Sequence, residues 1–342
     1  MRRSAAVIEA QIAKGIFRPH TMLTNMAVAY FQDAKNYAAK SIFPICPVEL
    51  SSDIFYKFSK EDLLRDNWKR KPQYGKVNPS QVSENTGTYN CLVDQNIMGI
   101  DQIKRTDDKR RQGPALKDPR IQRTKTMAEQ ANIHQDRLFA EAYFKSGVWT
   151  NEFTGNDDGS GDKGFIQFSN DNSEPIKFIK ERKKEMKENT GRVPNVMGLG
   201  VNVFNTLTEH PAIVERVKYS GSTANPAIVT ENVLAQLFGV DKIVTFEAIH
   251  NKAKLGQKED MSFICDPNSF LLAYATSTPS VEEPSAGYIF TWDMLGDGQF
   301  MPTLNYDGEP GTHTEYVEML MATDMKKVCD DLGMFFNNAV SE

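Results

Sequence analysis

Hydrophobic and polar residues alternate with a period of two at residues 54–58 and again at residues 89–93. This period places successive side chains on opposite faces of an extended chain, so it predicts a β-strand at each place. The segment between them, residues 66–87, is rich in Lys, Arg, Pro and Gly and offers almost nothing to a core. The pattern therefore predicts one long projecting hairpin.

A hairpin of this size is costly for an isolated molecule. Ordering its backbone costs about 1–2 kcal/mol per residue, and its polar sequence buries little area to offset that cost. We therefore expect it to pack on another subunit. Before the hairpin, a short amphipathic helix is predicted at residues 4–14, and Pro44 and Pro47 impose extended backbone at the end of an arm.

The longest predicted helix spans residues 118–146. Asp118 is suited to cap it, Pro119 to begin its first turn, and Gly147 to end it. Its apolar stripe is thin, so we expect the helix to lie across a surface and not to pass through a core. The stripe consists of Ile121, Ala128, Ala131, Leu138 and Ala142.

The second half of the chain favours a mixed lobe of helices and strands, which predicts an α+β fold. An acidic loop is predicted at residues 154–164 and a very polar helix at residues 175–189. Further helices are predicted at residues 204–210 and 212–219, and another from the cap Thr230 to Gly239. Strands are predicted at residues 196–201, 242–248, 261–265, 270–275, 288–292 and 315–321.

The composition restricts the function. The chain has 342 residues, of which 40% are hydrophobic, so it can bury a substantial core. Its net charge of −5 and pI near 5.7 argue against a protein that coats nucleic acid over its whole surface. No signal peptide and no apolar run of about 20 residues is evident, so we expect a soluble protein. The four cysteines lie far apart and are expected to be reduced thiols.

Residues with catalytic or ligand-binding potential form no recognisable site. Gly198-Leu199-Gly200 follows a predicted strand, as in a dinucleotide-binding loop, but Val203 stands in place of that loop's third glycine. The acidic residues at 156–162 lack the spacing of a calcium loop, and the five histidines are dispersed. We therefore predict no catalytic, cofactor-binding or metal-binding residue.

Basic residues are concentrated in two places in this acidic chain. Nine lie between Lys104 and Lys125, where only three acidic residues accompany them, and a second group occupies residues 180–187. Two interpretations stay open: a solvated face with helical ion pairs, or a contact with other subunits or with an enclosed polyanion. The residues predicted to contact other subunits are Lys69, Arg70, Lys71, Tyr74, Arg110, Arg111, Arg120 and Arg123.

The predicted order is an arm, a long hairpin, a long surface helix, an α/β lobe and returning strands. This order resembles the HK97-like fold of the major capsid proteins of tailed bacteriophages. Three local sequences are also similar to that family: VPNVM at residues 193–197, LAQLFGV at 234–240 and SAGYIFTW at 285–292. The resemblance implies an N-terminal arm (1–50), an E-loop hairpin (51–103), a P-domain with the spine helix (104–195), an A-domain (196–292) and return strands to the P-domain (293–342).

The same resemblance implies a structural protein, without enzyme activity or cofactor, that self-assembles into hexamers and pentamers of an icosahedral head enclosing double-stranded DNA. The A-domain would line the centres of these rings, and the E-loop would overlie a neighbour's P-domain. The stretch before residue 21 is too short for a fused scaffolding domain, so a separate scaffolding protein is expected. A portal and a decoration protein are further expected partners. The protein is expected in the virion after assembly in the host cytoplasm, without membrane contact.

Two alternatives stay open. An encapsulin-like nanocompartment shell protein would share the fold but would enclose a cargo enzyme instead of a genome. A soluble α/β nucleotide-binding enzyme is suggested only by Gly198-Leu199-Gly200 and the acidic loop, and such an enzyme has little use for the polar hairpin.

Overall fold

The structure is a computed structural model that describes residues 32, 36–58, 64–71, 73–77, 84–112, 119–220, 229–279, 283–294 and 301–341. Its contacts divide the chain into two units. The larger unit comprises Asn36–Leu92, Gln135–Trp292 and Thr323–Glu342, and the smaller unit comprises Val93–His134 and Asp293–Ala322 together with residue 32. The predicted helix at residues 4–14 and most of the predicted arm lie outside the described residues.

Helices and strands alternate along the chain, which confirms the α+β prediction. The described helices are α1 Ala39–Ile42, α2 Gln102–Gln112, α3 Pro119–Tyr143, α4 Pro175–Thr190, α5 Val201–Glu209, α6 Pro211–Ser220 and α7 Glu231–Phe238. The described strands are β1 Ile45–Val48, β2 Ser52–Phe58, β3 Glu84–Asn90, β4 Leu92–Asp101, β5 Glu152–Asn156, β6 Gly164–Ile166, β7 Val196–Gly200, β8 Lys242–Phe246, β9 Ile249–Asn251, β10 Met261–Phe263, β11 Phe270–Ala273, β12 Gly287–Trp292, β13 Thr303–Asp307, β14 Thr314–Lys327 and β15 Gly333–Asn337. Helix α3 and strand β14 each contribute residues to both units.

The centre of the larger unit is a six-stranded sheet in the order β6-β5-β15-β11-β7-β8. β11 is antiparallel to its neighbours β15 and β7, whereas the remaining neighbours in the sheet are parallel. β7 and β11 are buried along their whole length, which requires apolar cover on both faces. Their sequences are therefore nearly continuous apolar runs.

Alternate residues of β11 identify the two covered faces. Phe270 and Leu272 belong to one apolar cluster, which also takes residues from helices α4 to α7. Leu271 and Ala273 belong to a second cluster, which takes residues from α1 and from the end of α3. The ring centroids of Phe270 and Phe336 are 4.2 Å apart, so aromatic stacking contributes to the first cluster.

The end of helix α3 differs from the prediction that this helix lies across a surface. Phe139 and Tyr143 are fully buried in the second cluster, whereas Ile121 near the start of the helix is 56% exposed. The two aromatic residues are four positions apart and share one face, which the thin alanine stripe does not reveal. The Tyr143 hydroxyl donates a hydrogen bond to the Tyr288 carbonyl at 2.8 Å. The surface prediction was therefore wrong for the last turns of the helix.

The predicted hairpin is confirmed as strands β2 and β3, which pair antiparallel from Ser52 opposite Asn90 to Phe58 opposite Glu84. The predicted connecting segment, residues 66–87, overlaps the second strand, because residues 84–87 already belong to β3. Cys91 lies between β3 and β4 and not within a single strand. Strand β1, at the two prolines, pairs parallel with β12.

The smaller unit has a much smaller core. Strand β14 pairs there with β4 and with β13. Its apolar cluster consists of Ile100, Met127, Val317 and Met319, of which Met127 lies on helix α3. This unit therefore depends less on apolar burial than the larger one.

Several strands were missed or misjudged from the sequence. Strands β9, β13 and β15 were not predicted, because none of them alternates between buried and exposed residues. β9 has only three residues, β13 is exposed throughout, and β15 is nearly all buried. Strands β5 and β6 occupy the two ends of the predicted acidic loop at residues 154–164. That loop is therefore limited to residues 157–163.

Candidate assembly surfaces

The tip of the β2–β3 hairpin carries two of the most exposed aromatic side chains among the described residues. Trp68 is 94% exposed and Tyr74 is 96% exposed. Three exposed cations, Lys69, Arg70 and Lys71, follow Trp68 directly. A local hydrogen bond holds this turn, in which the Trp68 amide donates to Asp66 Oδ1 at 3.0 Å. Four of the predicted contact residues, including Tyr74, thus lie together on one exposed segment.

The base of the same hairpin is firmly attached within the larger unit. The Tyr89 ring stacks on Phe290 with centroids 4.7 Å apart, and Phe55 packs on Phe290 at 5.6 Å. The Asn90 amide donates to Asp324 Oδ2 at 2.8 Å. The hairpin therefore has a fixed base and an uncovered tip among the described residues.

One face of the sheet in the smaller unit is apolar and open among the described residues. Leu304 and Tyr306 of β13 lie opposite Glu318 and Tyr316 of β14, so these four residues share a face. A Cβ on Gly99 would lie 3.4 Å from the Tyr316 ring, which places the odd-numbered residues of β4 on the same face. The exposed apolar residues of this face are Val93 (43%), Ile97 (44%), Leu304 (36%) and Tyr306 (41%). We call these four residues the open sheet face.

The basic residues of α2 and of the start of α3 meet one buried carboxylate. Arg105 Nη1 lies 3.0 Å from Glu315 Oε2, and Arg120 Nε lies 2.5 Å from Glu315 Oε1. Among the predicted contact residues, Arg120 is therefore tied within the smaller unit. Arg110 is exposed and Arg123 is half-buried, and neither forms an ion pair with another described residue. The side chain of Arg111 lies outside the description.

The second basic group, residues 180–187 on helix α4, is partly paired within its own helix. The ion pairs join Lys177 to Glu174, Arg182 to Glu185 and Lys184 to Glu188. Lys183 Nζ donates to the Phe238 carbonyl at 2.9 Å and to the Gly239 carbonyl at the end of α7. The interpretation of a solvated face with helical ion pairs fits this group.

The glycine pair at the end of β7 serves packing. A Cβ on Gly198 would lie 2.7 Å from the Phe246 ring, and a Cβ on Gly200 would lie 2.3 Å from the Pro267 carbonyl oxygen. Close packing of the chain therefore requires both glycines, which fits a plain strand-to-helix turn. In the acidic loop, Asn156 Nδ2 donates to the Ser160 carbonyl at 2.9 Å, so that side chain closes a local turn.

Asp136 on α3 is a buried carboxylate that the sequence analysis missed. Its Oδ1 accepts a hydrogen bond from the Ala39 amide at 3.0 Å, and its Oδ2 accepts one from the Ala38 amide at 3.3 Å. Burial raises the pKa of Asp136 to about 6, although these hydrogen bonds and the charge of Lys40 act in the opposite direction. This carboxylate holds the backbone at the start of α1 in place within the larger unit.

The described ranges contain neither a metal-binding cluster nor a membrane-spanning helix. No set of three or more His, Cys, Asp or Glu in those ranges is arranged to hold a metal ion. Within the same ranges, no helix combines the length and the apolar character needed to cross a membrane.

Comparison with known proteins gives one curated relative and many similar structures. The relative is the major capsid protein of Burkholderia phage BcepMu, which is 26% identical over 235 residues, or 67% of this chain and 69% of that protein. No protein-family model matches the sequence.

Three solved structures illustrate the likeness of fold. A phage-related protein from Bordetella bronchiseptica RB50 has a TM-score of 0.65 at 16% identity, covering 92% of this chain and 95% of that one. The capsid of Cyanophage P-SCSP1u has a TM-score of 0.56 at 8% identity, covering 87% of both chains. The SrpI encapsulin of Synechococcus elongatus PCC 7942 has a TM-score of 0.52 at 9% identity, covering 89% and 87%.

These likenesses confirm the predicted HK97-like fold and the resemblance to phage major capsid proteins. Phage capsids and an encapsulin share the fold, so the fold by itself does not separate a virus shell from a nanocompartment. The curated relative is a phage major capsid protein, whereas the likeness to the encapsulin is one of fold alone.

Proposed function

We propose that this structural capsid protein assembles with copies of itself into the hexamers and pentamers of an icosahedral phage head that encloses double-stranded DNA. The observation that carries this proposal is the 26% identity, over 67% of the chain, to a phage major capsid protein. The chain acts as a building block and not as an enzyme, as its relatives do. Its working parts are therefore surfaces, and their chemistry must explain why copies adhere.

The division of labour follows the implied arrangement of the family. The E-loop (51–103) reaches a neighbouring subunit, the P-domain with its spine helix (104–195) receives it, and the A-domain (196–292) lines the centre of each ring. The uncovered hairpin tip supports the first of these roles. Aromatic side chains such as Trp68 and Tyr74 bury about 150–250 Å² each when covered, which corresponds to several kcal/mol at roughly 25 cal/mol per Å².

The open sheet face is our candidate for part of the surface that receives the hairpin, although Val93 and Ile97 belong to the E-loop range and Leu304 and Tyr306 to the return strands to the P-domain. Its exposed apolar residues could cover the aromatic side chains of the tip of a second copy. Glu318, which is buried beside Gln95 on the same face, supplies a negative charge for Lys69, Arg70 or Lys71 of a second copy. The other predicted contact residues, Arg110, Arg111, Arg120 and Arg123, lie in the two helices α2 and α3 of the same unit.

Further partners are part of this proposal. A separate scaffolding protein, a portal and a decoration protein would act during and after assembly in the host cytoplasm, and the finished shell would contact DNA without sequence preference. The virion is the expected final location. No membrane is involved.

The test replaces the hairpin tip, residues 64–77, with a short Gly-Ser linker and leaves β2 and β3 intact. We expect a chain with unchanged circular dichroism and unfolding midpoint that no longer forms closed shells in negative-stain electron microscopy. A matched pair refines the result. The double variant Trp68→Ala and Tyr74→Ala should impair assembly, whereas the matched double variant Trp68→Phe and Tyr74→Phe, which keeps both aromatic rings, should not. Closed shells of normal size from the linker variant would contradict the proposal.

The encapsulin reading is a second candidate, supported by the likeness to the SrpI encapsulin. It is tested on the contents of particles isolated from the natural source. We expect nuclease-protected double-stranded DNA inside them. Particles that contain a folded enzyme and no DNA would favour the nanocompartment.

A further inference from the structure

The segment formed by α2 and the first two turns of α3, residues 102–125, is unlike the rest of the chain in charge. It carries nine basic and three acidic residues, although the whole chain has a net charge of −5. Five of the nine are arginines, whose planar guanidinium groups suit phosphate oxygens. Such a local surplus produces a positive field even in an acidic protein.

The structure shows which of these charges are already satisfied. Arg105 and Arg120 are held by Glu315. Lys104, Arg110 and Lys125 are exposed, and none of them forms an ion pair with another described residue. The ion pairs with Glu315 therefore fasten both helices, while other cations of the segment are left to face something outside the chain.

Helix α2 is not held in place by burial of apolar side chains. Ile103 is its one apolar residue, and that side chain is 73% exposed. A helix that contacts an apolar protein surface normally offers a stripe of hydrophobic residues at helical spacing. The basic side chains of α2 are instead complementary in charge to a polyanion. Residues 102–125 also contain no Phe, Tyr or Trp, so the base stacking typical of single-strand binding grooves is missing.

We infer that α2 and the start of α3 form a binding surface for the phosphate backbone of double-stranded nucleic acid, with Lys104, Arg110 and Lys125 as contact residues. This inference rests on the proposed function, because it assigns to one surface the DNA contact that an enclosing shell makes. Phosphate neutralisation releases counterions, so the contact is independent of sequence and weakens as salt concentration rises.

The test compares two triple variants of the full, unassembled chain. One is Lys104→Gln, Arg110→Gln and Lys125→Gln. The control is Lys180→Gln, Lys184→Gln and Lys187→Gln on α4, which removes the same number of exposed positive charges. The probe is a short fluorescein-labelled DNA duplex of random sequence, followed by fluorescence anisotropy over a series of salt concentrations. Circular dichroism checks that each variant is folded.

We expect the first variant to bind the duplex about tenfold or more weakly than the unaltered chain. Its plot of log affinity against log salt should become shallower by about 0.9 for each lost phosphate contact. The control should stay within about twofold of the unaltered chain, because the inference places no phosphate contact on α4. Equal weakening in both variants, unchanged binding in the first variant, or no binding by the unaltered chain would each overturn the inference.

Electron microscopy of the same three proteins separates this inference from the proposed function. If the unaltered chain forms shells but the two triple variants bind DNA equally well, the inference is overturned and the capsid role stands. Failure of the unaltered chain to form shells under any assembly condition would instead count against the capsid role. A first variant that binds DNA normally but does not assemble would show that these residues contact another subunit, which also overturns the inference.

Discussion

Helices α4 and α2 are both rich in basic residues, yet they are held in place by different forces. Helix α4 buries Ile176, Ile179 and Met186 in the core of the larger unit and pairs its charges along its own surface. Helix α2 has one apolar residue, which is exposed, and is tied to the smaller unit through Arg105. A charge-rich helix can therefore be held either by apolar burial or by ion pairs. The presence or absence of buried apolar residues in the helix decides which applies.

The largest expected difference comes from one substitution made in both helices. Ile179→Ala should lower the free energy of unfolding of the larger unit by about 2–5 kcal/mol, because a 1% exposed side chain leaves a cavity. Ile103→Ala should change stability by less than about 0.5 kcal/mol, because that residue is on the surface. Urea titration followed by circular dichroism measures both. Similar losses in the two variants would contradict the contrast.

A second test uses the buried carboxylate of the larger unit, Asp136. Its folded-state pKa of about 6 lies above the ordinary value of 3.8, so the folded chain holds this proton more tightly than the unfolded chain. Stability should therefore fall as pH rises from about 4 to about 6 and then level off, by about 2–3 kcal/mol in all. Asp136→Asn should flatten that part of the curve. An unchanged pH dependence in this variant would assign the effect to other groups.

The third test removes the carboxylate that holds α2. Glu315→Gln should destabilise the smaller unit by about 1–3 kcal/mol. This is less than for a fully buried ion pair, because Arg105 and Arg120 are partly exposed and solvent screens their charges. Hydrogen exchange by mass spectrometry should show faster exchange in residues 102–112. Protection of α2 equal to that of the unaltered chain would mean that something other than Glu315 holds it.

The smallest effect is expected where a surface pair on α4 is broken. Lys184→Gln removes the i,i+4 pair with Glu188, whose side chains are both more than 60% exposed. Such pairs contribute about 0.3–0.5 kcal/mol, and the contribution falls with added salt. A loss above about 1 kcal/mol in the unfolding midpoint assay would show that α4 depends on its charges after all.

Much of the fold was predictable because several elements have clear local sequence signals. The period-two pattern at residues 54–58 gave the first strand of the hairpin, and the left-handed Gly239, with φ 64°, ends α7 where the sequence predicts a stop. Thr230 stands at the predicted cap position, although its side chain makes no capping hydrogen bond. Local backbone preferences thus identified the elements without identifying every contact.

The remaining features depend on residues far apart in the chain. Strand β15 shows no alternation because β11 and β5 flank it and both of its faces are covered. The burial of Phe139 and Tyr143 depends on Phe43, nearly a hundred positions earlier, whose ring lies 4.6 Å from that of Tyr143. No local pattern near residue 139 contains that information.

The sequence by itself determined the order of hairpin, long helix and α/β lobe, because turn residues, caps and periodicity act over a few neighbouring positions. It also located the two basic groups. Only the tertiary structure decided that Glu315 holds Arg105 and Arg120, and that the hairpin tip and one sheet face stay uncovered among the described residues. Burial and ion pairing are properties of atoms that the folded chain brings together, and sequence separation does not reveal them.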